Sequence, residues 1–202
     1  MSEMSKFKKL NFSSDGFSYK NVEYSFDDIR SLLFHKSRTI QRMNFVKVAS
    51  ADEAILLVGL ENDKLIKLSF DETGVFFGFN RDRYNEIESL EQLYLVLAEK
   101  TFAKRMAIYT DKIETKGFFK YGGCTFSPQD QTIKYKKKTF QVKNTRFLRG
   151  PGYVLLKSKD YGIFDKIKQE VTLGSPPQFT TIMDTDVIYT LLEHYFGLRL
   201  KD

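Results

Sequence analysis

Few side chains in this sequence have chemistry to offer. Cys124 is the single thiol, and it follows Gly122 and Gly123. A flexible glycine pair can expose a nucleophile, but activation needs an adjacent base, and none is local. The reading for Cys124 is therefore a buried or incidental thiol. His35 and His194 are the only histidines. Either would need an acid or a nucleophile brought close by folding before it could move a proton in catalysis. Neither stands in the spacing of CxxC, HExxH or an EF-hand loop. Asp27 and Asp28 are adjacent carboxylates, but neighbours on a regular strand point to opposite faces, so they act as a pair only at a strand end. Asp184 and Asp186 suit the start of a helix, where a side-chain oxygen and negative charge satisfy free amides. The glycines lack the lysine and hydroxyl of a phosphate-binding P-loop. No catalytic residue, metal site or cofactor is expected. An enzyme assembled from residues distant in sequence stays open as an alternative.

The strongest candidate is QTIKYKKKTF at 131–140. Read as one strand, it places Lys134, Lys136 and Lys138 on one face and Ile133, Tyr135 and Lys137 on the other. Lys143, Arg146 and Arg149 extend the field if the following turn brings them round. The candidate ligand-binding set is therefore Lys134, Lys136, Lys137, Lys138, Lys143, Arg146 and Arg149. Such a surface attracts an acidic protein, phospholipid headgroups or nucleic-acid phosphate. Lysines on a strand also serve simply to solvate it and to block edge pairing. Single-stranded nucleic acid would further need exposed rings beside the cations. Phe126, Tyr135, Phe140 and Phe147 are the rings at hand, and the strand pattern sends most apolar residues inward. Neither long helix is strongly basic along its polar face, as a simple interfacial anchor requires.

The charge is uneven along the chain. The 202 residues carry a formal +6, from 32 Lys/Arg and 26 Asp/Glu. Residues 1–103 hold 14 cations and 16 anions, residues 104–149 hold 12 and 3, and residues 150–202 hold 6 and 7. The excess arises from the middle. A 42% hydrophobic fraction with 19 Phe and 11 Tyr supports a substantial core, in one domain or two small ones. The apolar runs are short of the roughly 20 residues that cross a bilayer. MSEMSKFKK has no apolar stretch behind its basic residues, so no secretory signal is expected. One cysteine excludes an internal disulfide and fits a reducing compartment. The expected location is cytoplasmic, with peripheral membrane attachment as the alternative; the oligomeric state is left open.

The elements that must position these residues follow from period and punctuation. Phe17, Tyr19, Tyr24 and Phe26 alternate around a Lys20-Asn21 turn, and Asp15-Gly16 marks another. AILLV at 54–58 and LIKLSF at 65–70 flank the loop ENDK. GVFFGF at 74–79 reads as a bent strand or a loop. Ile87, Leu90, Leu93, Tyr94, Leu97, Ala98, Thr101 and Phe102 recur at helical spacing, with Lys104 and Arg105 suited to the helix end. FFKYGGCTF, QTIKYKKKTFQV and YVLLKS return to strand character, with turns at Pro128 and RGPG. GSPP at 174–177 precedes a second helix at 185–196. Its apolar face is Val187, Ile188, Leu191, Leu192, Tyr195 and Phe196, with Asp184 as cap and Gly197 as stop.

The order is strands, helix, strands, helix, and the strands echo. FSSDGFSYKNVEYSFDDI begins at Phe12 and FSPQDQTIKYKKKTFQV at Phe126. Phe12 to Phe126 and Phe26 to Phe140 share one offset, 114 residues. This order and these two segments resemble the bacterial pleckstrin-homology-like superfold. The resemblance implies an α+β chain of two tandem units, about 6–105 and 106–198, each a bent sheet closed by an amphipathic helix. It further implies recognition of a protein, peptide or lipid, without assigning a ligand-binding residue. The second unit departs at Gly150-Pro151-Gly152 and at YGIFDKIKQEVTLGSPP, where a short helix at 161–169 competes with strands. A non-enzymatic interaction module, with a protein as the expected partner, is the leading expectation.

Overall fold

A computed structural model of the chain describes residues 10–19, 21–43, 46–75, 81–150, 152–159, 177–180 and 183–200. The expected short helix at 161–169 and the end of GVFFGF lie outside them. The fold is mixed α+β, with two α-helices and several antiparallel sheets among the described residues. The chain divides into two compact units, Met1–Arg105 and Met106–Asp202.

In the first unit, β1 (Leu10–Phe12), β2 (Gly16–Tyr19) and β3 (Val22–Ser25) form one meander. The β2–β3 turn works because Asn21 accepts φ 63, a left-handed conformation open to few residues besides glycine. A 3₁₀ turn (Phe26–Asp28) leads into β4 (Ile29–Met43), β5 (Val46–Leu60) and β6 (Leu65–Val75), a second antiparallel sheet in that order. The ENDK loop joins β5 to β6 where expected, with Asp63 at φ 58. Leu32, Ala54, Leu56, Val58, Ile66 and Leu68 face inward and meet Ile87, Leu90, Leu93 and Leu97 of helix α1 (Arg81–Lys116). A period of two and a period of 3.6 thus supply the two apolar surfaces that cover each other.

Helix α1 contains the expected apolar stripe but not the expected end. Arg105 is fully buried in mid-helix, where its guanidinium donates to Thr101 Oγ1 at 2.9 Å and to the Ala98 carbonyl at 3.1 Å. Lys104 pairs with Glu61 at 2.7 Å. The helix stops at Gly117, whose φ of 74 lets its N–H bond the Ile113 carbonyl at 2.8 Å.

The second unit opens with β7 (Phe119–Tyr121), β8 (Cys124–Ser127), β9 (Thr132–Tyr135) and β10 (Lys138–Gln141), a four-stranded sheet. Gly122 and Gly123 make the β7–β8 turn at φ 55 and 85. Gly122 is also pressed on the second sheet of this unit: a Cβ there would collide with the Thr180 carbonyl oxygen. A 3₁₀ turn (Val142–Asn144) leads into β11 (Thr145–Gly150), β12 (Tyr153–Ser158) and β13 (Gln178–Thr180). Helix α2 (Thr185–Phe196) follows with Val187, Ile188, Leu191, Leu192 and Phe196 buried. Phe126 joins the layers, stacked on Phe119 at 4.9 Å and edge-on to Phe179 at 5.3 Å and Phe196 at 6.1 Å. Gly197 ends α2 at φ 65, as expected. Asp184 stands at the N-cap but makes no side-chain cap bond. Its buried carboxylate instead accepts from Tyr109 Oη at 3.2 Å.

The two units share a spacing. β2, β3, the 3₁₀ turn and β4 begin at 16, 22, 26 and 29; β9, β10, the 3₁₀ turn and β11 begin at 132, 138, 142 and 145, a constant offset of 116. Phe12 and Phe126 remain equivalent at 114, since each pairs with the β2 or β9 residue of the same rank, Phe17 or Ile133. The β8–β9 connection has absorbed two more residues than β1–β2. Phe26 and Phe140 are consequently not equivalent: Phe26 opens a 3₁₀ turn and Phe140 lies in β10.

Candidate cationic surface

QTIKYKKKTF is a hairpin, not one strand. Tyr135 ends β9 and Lys138 begins β10, and these two residues pair across the ladder. Lys136 and Lys137 form the turn, with Lys136 at φ 51. The expected shared face of Lys134, Lys136 and Lys138 is corrected by this reversal. Lys134 pairs with Thr139 and with Thr125, which pairs in turn with Lys120. Cross-strand partners share a face, so Lys120, Thr125, Lys134 and Thr139 form one row on the outer side. The row below it in register, Phe119, Phe126, Ile133 and Phe140, faces the other way, and its first three members are buried. Lys138 falls on that second side, beyond Tyr135.

Lys134, Lys136, Lys137, Lys138 and Lys143 are all exposed. Lys136 Nζ sits 5.2 Å from the Tyr135 ring centroid. None of the five is ion-paired with a carboxylate among the described residues. Lys143 lies in the 3₁₀ turn after β10. Arg146 and Arg149 separate on β11, because an odd spacing puts them on opposite faces. Arg146 pairs with Lys157 across the ladder. Arg149 lies 5.4 Å from the Tyr189 ring centroid and donates to the Leu200 carbonyl at 3.5 Å. The surface is therefore centred on the hairpin with Lys143 beside it. Arg149 instead packs against α2 and the chain after it. Lys120 is the member that sequence reasoning missed. The Gly122-Gly123 turn was its signal, because folding FFKY back on CTF sets Lys120 in line with Lys134.

The rings do not build a stacking platform. Phe126 is buried, and Tyr135, Phe140 and Phe147 are half-buried. The nucleophile candidate is closed as well. Cys124 is buried on β8 with Sγ 3.7 Å from the Gln178 carbonyl oxygen, and burial pushes its thiol up to about 12. His194 is exposed on α2 with its ring edge-on to Tyr195, and His35 is exposed on β4. Asp27 and Asp28 fall in the 3₁₀ turn, both exposed, and the Asp27 N–H donates to Ser25 Oγ at 3.1 Å. A cleft of about 410 Å³ opens beside β2 and β3, lined by Ser13, Asp15, Ser18, Glu23, Ser25 and their neighbours. Among the described residues, no histidine, cysteine or lysine lines it. No group of three metal-ligating side chains occurs among the described residues. No described helix is long and apolar enough to cross a membrane. No family model, no curated protein and no solved structure matches the chain.

Proposed function

We propose that the chain is a non-enzymatic interaction module of two pleckstrin-homology-like units, whose second unit holds an anionic partner against the β9–β10 hairpin. One observation carries this reading: Lys134, Lys136, Lys137 and Lys138 are exposed within a single hairpin, with no carboxylate paired to them among the described residues. A two-stranded scaffold fixes the cations before the partner arrives, which lowers the entropy lost on binding. The matching order of sheet, 3₁₀ turn, sheet and helix in each unit supports the architectural part. The half-buried rings favour an acidic protein or a lipid headgroup over single-stranded nucleic acid. The single buried thiol fits a cytoplasmic setting.

The test uses the intact chain and the variant K134E/K137E/K138E. Binding is measured against phosphatidylcholine vesicles with and without phosphatidylserine, against an acidic peptide, and against single-stranded DNA. The expected result is at least a tenfold loss in the variant for whichever anionic probe the wild-type chain binds, with affinity falling as salt rises. Equal binding by wild-type and variant would remove the hairpin from the site.

A further inference from the structure

The cationic hairpin is also the rim of its sheet. In the order β10-β9-β8-β7, β10 is bonded to β9 alone among the described strands. Its side chains are exposed except for the half-buried Phe140. An open strand edge presents backbone donors and acceptors to any extended chain.

The register fixes which groups those are. The Val142 N–H donates to the Gln131 carbonyl at 2.9 Å. Bonded and non-bonded pairs alternate along an antiparallel ladder, so Phe140–Ile133 and Lys138–Tyr135 are the next bonded pairs. Thr139 and Gln141 lie between them and turn N–H and C=O away from β9. The Gln141 carbonyl is taken, because Thr145 Oγ1 donates to it at 2.7 Å. Three groups are left facing outward: the Thr139 N–H, the Thr139 carbonyl and the Gln141 N–H. None of the three is bonded to a described residue. Residues two apart are the ones through which a strand bonds one neighbour, so these groups are spaced for a further strand.

Charge chooses among the strands that could add there. Residues 131–159 contain no Asp or Glu. Lys138 opens the edge and Lys143 lies just past its end, and both are exposed. A second β10 would bring lysine towards lysine, and like charges across a ladder are destabilising. A polypeptide with carboxylates answers both the backbone groups and the cations. A lipid headgroup answers only the cations.

We propose that the outer edge of β10 takes up a short, extended acidic segment of a partner protein as an added strand. Thr139 and Gln141 supply the backbone bonds, and Lys138 and Lys143 select carboxylates. This rests on the hairpin reading and names the chemistry of the partner held there.

The probe is a labelled peptide of alternating Glu and Thr, about six residues long. One control is a Lys-Thr peptide. The other is a Glu-Thr peptide with proline at every third position, which keeps its acidic character and breaks both of its edges. Anisotropy and amide exchange are read on the full chain. The acidic peptide is expected to bind and to slow exchange at Thr139 and Gln141, and the two controls are expected not to bind. Q141P removes an outward N–H and changes no charge. Gln141 has φ −76, within the range of proline, so this variant keeps its urea midpoint. It is expected to weaken peptide binding at least about fivefold, the loss of one hydrogen bond. K134E/K137E/K138E is expected to lose the peptide as well. No binding of the acidic peptide, equal binding of the proline-interrupted peptide, or slowed exchange that spares β10 would each overturn the edge. Loss in the lysine variant with none in folded Q141P would overturn the edge and keep the hairpin reading. Loss in Q141P with none in the lysine variant would overturn the hairpin reading, and the selection for carboxylates with it.

Discussion

Burial decides the chemistry of Cys124 before any neighbour does. The thiol faces Phe126's side of the sheet and keeps its proton up to about 12, against 9.0 for a free thiol. Desolvation raises Tyr121 above its ordinary 10.0 for the same reason, and Tyr121 Oη donates to the Met183 carbonyl at 2.6 Å. Two outcomes are expected. Iodoacetamide at pH 8 leaves the native chain unlabelled over a time that fully labels it in urea, as read by intact mass. Stability also falls as pH rises from about 9 towards 12, because the folded chain holds protons there that the unfolded chain has lost. Urea midpoints at pH 8 and pH 10 measure the second effect, and C124A should flatten that slope. A slope unchanged in C124A would mean the thiol is not shielded in the fold. The glycines beside Cys124 do not expose it, and they serve backbone geometry: Gly122 turns the hairpin and lies against Thr180.

The hairpin turn at 136–137 is where backbone conformation meets the proposed binding site. A lysine at φ 51 is in a region that costs a non-glycine residue about 1–2 kcal/mol. Strain of this kind clusters where a residue has a functional role, and on the proposed reading that role is a cation at the tip of the ribbon. K136G is therefore expected to raise stability by about 1 kcal/mol and to weaken anionic binding, read by urea midpoint and by vesicle or peptide titration on one sample. A fall in stability would remove strain from the account. The same position shows why the strand looked continuous in sequence. Ile133, Tyr135 and Lys137 alternate, and none of the turn-forming residues Gly, Asn, Asp or Pro interrupts QTIKYKKKTF. The Lys20-Asn21 turn was readable because asparagine tolerates the left-handed region. Helix α1 shows the same limit at its end. Its stripe through Phe102 was legible, but Lys104 and Arg105 resembled a terminus when Lys104 pairs with Glu61 and Arg105 is buried against its own helix, and Gly117 is the stop. The period of a segment survives in sequence, whereas the point of reversal depends on contacts made elsewhere.

At the scale of the whole molecule, averages mislead in two ways. The repeated order of elements was legible from Phe12 and Phe126, yet the offset changes from 114 to 116 between β8 and β9, so one number could not align both Phe pairs. The balance over residues 1–103 likewise hid an acid-free run at 29–51, because Asp52, Glu53 and the acids of α1 fall in the same window. Net charge alone is an equally blunt predictor of binding. K134E/K137E/K138E lowers the formal +6 by six, to zero. A control that reverses the exposed Lys67, Lys100 and Lys116 lowers it by the same amount without touching the hairpin. If binding depends on local arrangement, the control keeps its affinity for the anionic probe within about threefold, and the hairpin variant loses at least tenfold. Long-range attraction is screened beyond about 8 Å at physiological salt, so the contrast should widen as salt rises from low to physiological. Equal losses in both variants would assign the binding to net charge and leave the hairpin lysines as solvated surface.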